Sequence, residues 1–398
     1  MHNVVIEAPY KFVPPHHGRF WPGLLQRTAR WWLRREYGLT RVEVEGAEHL
    51  RASMAAGHGA LIAPNHCRPS DPFVVAETLR QAGTTAYTMA SWHLFCHSRL
   101  QTWVLRHSGG FSVFREGLDR AAVNAAVDVL DAGRRPLVLF PEGVVTRTND
   151  RLNPLMEGVA FIARTAAKKR AKAEPPRQVV VHPTAIRYCF RGDAETALAP
   201  ALDDLERRLS WRTQRQLPLV ERIYQVGQAL LGLKEMEHLG GSQSGHVAER
   251  LQRLIDHLLA PLEREWLDGR GEGSVVARVK KLRAAVLPDL VQGEIAPAER
   301  DRRWRQLEDM YLAQQLSCYP PDYIRTNPTP ERLLETVERF EEDLTDRTRR
   351  FGELTARVQI GEAIPVSPAR DRAASEDPLM TAIEASLRGM LEGLRCRS

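Results

Sequence analysis

Ala356-Arg357-Val358-Gln359-Ile360-Gly361-Glu362-Ala363-Ile364-Pro365-Val366 stands near the end of a 398-residue chain, after a long stretch that reads as helical. Arg357-Val358-Gln359-Ile360 alternates polar and apolar residues and runs into glycine, the pattern of a strand entering a turn. A lone strand in a helical domain has nowhere to pair, and unbonded backbone groups are costly when buried. The stretch is therefore expected to return to a sheet built earlier in the chain. On that reading the helical block is an insertion within one domain; the competing reading makes it a separate C-terminal domain.

The earlier sheet is visible as short apolar runs: Val42-Glu43-Val44, Leu61-Ile62-Ala63, Ala86-Tyr87-Thr88-Met89, Phe111-Ser112-Val113-Phe114, Leu137-Val138-Leu139-Phe140 and Val179-Val180-Val181. Between them 72–81, 94–107, 118–132 and 157–172 read as helices. Such alternation predicts an α/β layer, a central sheet flanked by helices. After Arg191 the segments 200–209, 219–233, 246–267, 275–286, 297–316 and 330–350 read as helical and strand-free, and a last helix is expected over 378–394. The divisions expected are an N-terminal amphipathic segment over 1–40, an α/β core over 41–192, a helical insertion over 193–352, and a final strand and helix over 353–398.

Hydrophobic residues make up 43% of the chain and charged residues 27%, with a net charge of +6. That composition describes a globular protein. The chain has no apolar run near the roughly 18 residues of a membrane-spanning helix. Met1 to Glu7 lacks the basic start and apolar core of a signal peptide, so a cytoplasmic location is expected. Five cysteines, odd in number and far apart, argue against a disulfide framework and against zinc; no metal is expected. The basic balance suits an anionic partner. No recognition motif accompanies it, and nucleic acid is not expected. Gly241-Ser242-Gln243-Ser244-Gly245 has glutamine where a nucleophile elbow needs serine.

Four segments fall at expected strand ends, where ligands of α/β folds gather. His66 and Asp71 stand five positions apart after Leu61-Ile62-Ala63, the minimal apparatus for taking a proton from a hydroxyl. Asp71-Pro72 also reads as a helix start, with Asp71 the cap. Arg115 ends the run Gly109-Gly110-Phe111-Ser112-Val113-Phe114, bracketed by glycines, and suits a phosphate gripped by two parallel hydrogen bonds. Phe140-Pro141-Glu142-Gly143 follows the most apolar strand; Glu142 suits positioning of an acceptor hydroxyl, and the Gly143 amide suits close approach to substrate oxygens. Pro183 interrupts the run at Val181-His182, which by itself reads as an edge strand or bulge. Singly, each segment has an ordinary structural explanation.

Together they resemble the lysophospholipid/glycerolipid acyltransferase family, whose signature is H-x-x-x-x-D, an arginine block, F-P-E-G and a proline-centred strand. Here these are His66/Asp71, Gly110 through Arg115, Phe140-Pro141-Glu142-Gly143 and Val181-His182-Pro183. Val358 to Ile364 resembles the family's late V-x-I-G-x-P-I strand, with Ala363 in the proline's place. After F-P-E-G the family's Thr-Arg-Ser is replaced by Val144-Val145-Thr146, with the arginine delayed to Arg147. The resemblance covers roughly 40–192 and 353–395. It implies a mixed, largely parallel sheet and supports reading the large all-helical block as an insertion, which has no counterpart in the family's compact members.

The resemblance also implies acyl transfer from acyl-CoA or acyl-carrier protein to a lysophospholipid hydroxyl, with no other cofactor. His66 and Asp71 would be catalytic. Asn65, Gly110, Phe114, Arg115, Phe140, Pro141, Glu142, Gly143, Arg147 and Pro183 would line the substrate. The thioester is already activated, so no covalent enzyme intermediate is needed, and Cys67 is not expected to act. An amphiphilic acceptor requires access to a bilayer. On a helix over 20–35, Leu24, Leu25, Trp31 and Trp32 gather on one side and Arg27, Arg30 and Arg34 on another, which suits an anionic membrane face. Packing on the α/β domain explains the same helix equally well. The alternative to an enzyme is a module that binds acyl-CoA or lipid, with the insertion serving a protein partner.

Overall fold

The computed structural model describes residues 10–115, 119–174, 176–209, 212–292, 295–347, 349–370 and 376–396. Met1 to Glu7, Leu118 and the second bracketing glycine, Gly117, lie outside them. The α/β part runs α1 (Phe20–Tyr37), β1 (Leu39–Glu45), α2 (Ala47–Ala55), β2 (Gly59–Pro64), α3 (Asp71–Gln81), β3 (Tyr87–Ser91), α4 (His93–Cys96), α5 (Arg99–His107), β4 (Gly110–Val113), α6 (Arg120–Ala132), β5 (Leu137–Val138), α7 (Gly158–Arg170) and β6 (Val179–Phe190). Seven helices follow: α8 (Ala194–Arg208), α9 (Leu219–Leu239), α10 (Val247–Leu267), α11 (Val275–Gln292), α12 (Pro297–Ser317), α13 (Tyr323–Thr326) and α14 (Pro330–Thr345). The chain then forms β7 (Leu354–Ile360), β8 (Ile364–Pro365) and α15 (Pro378–Gly393).

One eight-stranded sheet is ordered β1-β7-β6-β2-β5-β3-β4, with β8 also on β6. The pairs β1–β7, β6–β2, β2–β5, β5–β3 and β3–β4 are parallel, and β6 pairs antiparallel with β7 and β8. The fold is a mixed, largely parallel α/β sheet with a helical insertion. β7 takes a place between β1 and β6, because Val358 and Ile360 bury there and both strand edges find partners. The chain divides into two compact units, Lys11–Arg191 with Gly352–Ser398, and Gly192–Phe351 together with Tyr10.

In the first unit, β2 is buried along its whole length, as a strand covered on both faces should be. Leu61, Phe111, Leu137 and Val181 pack with Ala126, Leu130, Ala163 and Ile383 from the flanking helices. α1 belongs to this unit and buries Pro22, Ala29 and Leu33. Gln26 ties it to the carbonyls of Ala76 and Thr84. Among the described residues no helix is long and apolar enough to cross a membrane.

The second unit has helices and no strand among its described residues. One cluster joins Leu254, Leu258, Leu282, Val286, Met310 and Ala313 from α10, α11 and α12. Between α8 and α9, Arg222 is buried against Glu206 and Asp203.

Two expectations are corrected. β6 runs unbroken through Pro183 in the sheet interior, as neither an edge strand nor a bulge. The Pro183 carbonyl accepts from Gly361 N–H in the β7–β8 turn. A strand residue's N–H and C=O point the same way, so the missing donor faces that turn and no ladder bond is lost. Second, Cys189 on β6 and Cys396 form a disulfide across 207 residues of sequence. Cysteine spacing could not show this, because the pair meets only once the chain after α15 lies along β6. In a reducing compartment the pair would be two thiols.

Candidate active site

The turn after β2 brings together His66 and Asp71. His66 Nδ1 lies 2.8 Å from Asp71 Oδ2, and the Arg68 backbone N–H donates to the same oxygen at 2.9 Å. Asp71 is fully buried, whereas the His66 side chain keeps 13% exposure. With Nδ1 donating to the carboxylate, Nε2 is the basic nitrogen. Asp71 opens α3 with Pro72 behind it, but Ser70 occupies the cap position. The Asp71 carboxylate turns back to the imidazole instead of capping the helix. An ion partner and a charge-assisted hydrogen bond outweigh a cap worth about 1 kcal/mol.

The Phe140–Arg147 segment grips His66 from three sides. The Phe140 ring stacks on the imidazole, with centroids 4.1 Å apart. Glu142 Oε1 accepts from the His66 backbone N–H at 2.7 Å, and Oε2 accepts from Asn153 N–H at 2.9 Å. Thr146 donates to the His66 carbonyl from its backbone N–H at 2.8 Å and from its hydroxyl at 3.1 Å. Glu142 is thus bonded to backbone through both carboxyl oxygens. The expected use of the Gly143 amide is also corrected: it donates to Phe140 O inside its own turn. Gly143 has φ +73°, where any other side chain is strained, and a Cβ there would meet Met156 Sδ at 2.4 Å and displace it.

Burial pushes the Glu142 carboxyl up to about 8, against the lowering effect of its two amide donors. A folded-state value above the ordinary 4.5 means that its contribution to stability is complete below about pH 4.5 and lost as pH rises through about 8. Glu142→Gln is expected to flatten this alkaline decline in Tm measured from about pH 5 to 9. Parallel curves for the two proteins would show that Glu142 does not titrate in this range.

Asn65 is buried and spans to β6, its Nδ2 donating to Ile186 O and its Oδ1 accepting from Ile186 N–H. Arg147 holds φ +59°, a conformation costly for arginine and typical of constrained sites. Burial and then the Glu36 charge push up the Tyr37 phenol, against a smaller lowering by Arg147 and with a smaller rise from Asp71. The last turn of α1 therefore reaches the same rim. His66, Asp71, Asn65, Phe140, Pro141, Glu142, Gly143 and Arg147 form one cluster where β2 and β5 end. Phe114 and Arg115 follow β4 at the sheet edge, three strand spacings or about 14 Å away. Gly110 is needed for packing, since a Cβ would meet Leu105 O at 2.6 Å. Pro183 sits in register with Ala63 in β2.

Three residues escaped the sequence reading: Thr146, Tyr188 and Asn149. Tyr188, fully buried on β6, donates from its hydroxyl to Asp71 Oδ1. Asn149 holds the Tyr188 backbone, accepting from its N–H and donating to its C=O, both at 2.7 Å. The departure Val144-Val145-Thr146 was the one available signal for Thr146; nothing local marks the other two.

No curated protein matches the chain. Residues 41–187 match the acyltransferase family model, a span that runs from within β1 through most of β6 and includes every residue of the His66 cluster. The chain therefore carries a domain of the acyltransferase family, and the reaction class of that domain is acyl transfer.

Proposed function

We propose that this domain moves a fatty acyl group from acyl-CoA or acyl-carrier protein to the hydroxyl of a lysophospholipid such as 1-acylglycerol 3-phosphate, in phospholipid biosynthesis. The observation that carries the reading is the His66–Asp71 hydrogen bond at the end of the central strand, inside the matched segment. His66 Nε2 takes the acceptor's hydroxyl proton while Asp71 holds the tautomer and stabilises the imidazolium. The acceptor oxygen attacks the thioester carbonyl. The tetrahedral intermediate collapses by breaking the C–S bond, and the imidazolium returns its proton to the thiolate. The products are an ester and a free thiol. Phe140, Glu142 and Thr146 serve by fixing His66, while Arg147, in the same cluster, suits the acceptor phosphate.

The experiment is incubation with acyl-CoA and a panel of lysophospholipids and glycerol 3-phosphate, following thiol release and acylated lipid together. Thiol release without acylated product would assign a thioesterase. Neither signal would favour a non-catalytic lipid-binding module.

The enzyme works at the inner face of a membrane without spanning it. Of the ten large apolar side chains exposed among the described residues, seven belong to α1 and α5: Phe20, Leu24, Trp31, Trp32, Leu100, Trp103 and Val104. Phe20 is 71% and Leu100 72% exposed, and the Trp21 and Trp103 rings, 4.9 Å apart, join the two helices. Arg27, Arg34, Arg35, Arg99 and Arg106 lie on the same pair, against one acidic residue, Glu36. Aromatic and basic residues together suit the headgroup layer of an anionic bilayer. The buried face of α1, with Ala29 and Leu33, is distinct from the face that carries Phe20, Leu24 and Trp31. Trp31→Glu with Leu100→Glu is expected to lower binding to phosphatidylglycerol-containing vesicles at least about ten-fold, measured by flotation. Equal flotation of variant and parent would remove this surface from the account.

A further inference from the structure

We infer that Tyr188 is a positioning residue for the His66–Asp71 pair, its phenol fixing the Asp71 carboxylate so that Oδ2 faces the imidazole. This rests on the acyl-transfer reading for its kinetic consequence, though not for its geometry. Asp71 is fully buried and its two oxygens are divided between different duties. Oδ2 accepts from His66 and from the Arg68 amide, and Oδ1 accepts from Tyr188. Without the phenol, the donor left to Oδ1 among the described residues would be the Cys67 thiol at 3.9 Å, a weak one. With that donor gone the carboxylate is no longer fixed in rotation, and its charge falls wholly on the imidazole and the Arg68 amide.

The phenol is itself held on every side. Ser70 Oγ lies 2.9 Å from the Tyr188 oxygen, and since the phenol proton goes to Asp71, Ser70 is the donor in that pair. The Arg68 guanidinium stands 5.3 Å from the ring centroid. Burial, reinforced by the Asp71 charge, pushes the phenol well above its ordinary value, so it remains a donor throughout the working pH range.

The backbone beneath the phenol is fixed by an unusual device. β2 pairs with β6 only as far as Thr184, and beyond that point the N–H and C=O of Ile186 and Tyr188 face away from β7 toward a strand that has ended. The side-chain amides of Asn65 and Asn149 replace the missing strand, each giving one donor and one acceptor to a single β6 residue. Asn65 immediately precedes His66. The amide that completes β6 and the imidazole that Tyr188 orients through Asp71 therefore stand on adjacent residues.

Tyr188→Phe keeps the ring and removes the donor. It is expected to lower kcat about ten-fold with KM within about two-fold. The acid limb of the pH–rate profile should move to higher pH, because a carboxylate with one donor fewer holds the His66 proton more tightly. The Cε1–H resonance of His66 should titrate at correspondingly higher pH in NMR. Replacing Tyr188 by 3-fluorotyrosine, a stronger donor with nearly the same shape, should move both readouts the other way and covers the case in which Tyr188→Phe fails to fold. Opposite displacements support the inference; unmoved His66 titration in the fluorinated protein overturns it, whatever happens to stability. If the parent protein transfers no acyl group, the proposed reaction fails while the NMR titration still decides the role of Tyr188.

Discussion

His66→Ala is expected to lower acyl transfer by roughly 10² to 10⁴-fold while leaving the fold intact. The magnitude is that of losing a positioned general base. Substrate would still bind, so the loss should fall on kcat, and thiol release and lipid product should fall together. The fold should survive because the imidazole is a partly exposed side chain, while the elements around it are held by the His66 backbone. That backbone keeps its bonds to Glu142 and Thr146 whatever the side chain is. The checks are single-turnover thiol release from acyl-CoA and a melting curve on the same preparation. Near-normal turnover in the folded variant would sink the mechanism.

Arg222→Ala is expected to destabilise the helical unit by about 3–5 kcal/mol, the cost of leaving the buried Glu206 carboxylate without its cation. Arg222 has 4% of its side chain exposed, and Glu206 only 1%. Arg222 Nε and Nη2 bind Glu206 at 2.9 and 2.8 Å, and Nη2 also reaches Asp203 at 2.8 Å. Arg215 and Arg222 hold the Asp203 carboxyl below its ordinary 3.8. Its contribution is therefore present above about pH 4 and lost on further acidification. Urea denaturation of the variant at neutral pH measures the first effect, and the acid limb of parent stability the second. A loss below about 1 kcal/mol would place the pair among exposed, nearly neutral bridges.

The strands were legible where burial imposes composition. Leu61 to Ala63 and Val179 to Val181 are covered on both faces, so apolar runs announce them. The reading stopped short on β6, which continues through Tyr188 to Phe190, because Pro183 looks like an interruption until the β7–β8 turn is seen beside it. It overran on β5, assigned only Leu137 and Val138, although Leu139 still donates to Ile62 O. It also merged α4 with α5, since the Ser98 cap between them carries no apolar signal.

By itself the sequence determined the α/β class, the return of β7 after the insertion, and the His66–Asp71 pair, because each leaves its mark within a few neighbouring residues. Periodicity records which faces are buried, and a five-residue spacing records that one turn holds base and carboxylate together. Tertiary structure alone decided what surrounds that pair. Tyr188 lies 117 positions from Asp71, Asn149 reaches β6 across 39, and Cys189 meets Cys396 across 207. Such partners are chosen by strand order and helix placement, and a hydrogen bond between distant residues puts no periodic constraint on either one's neighbours.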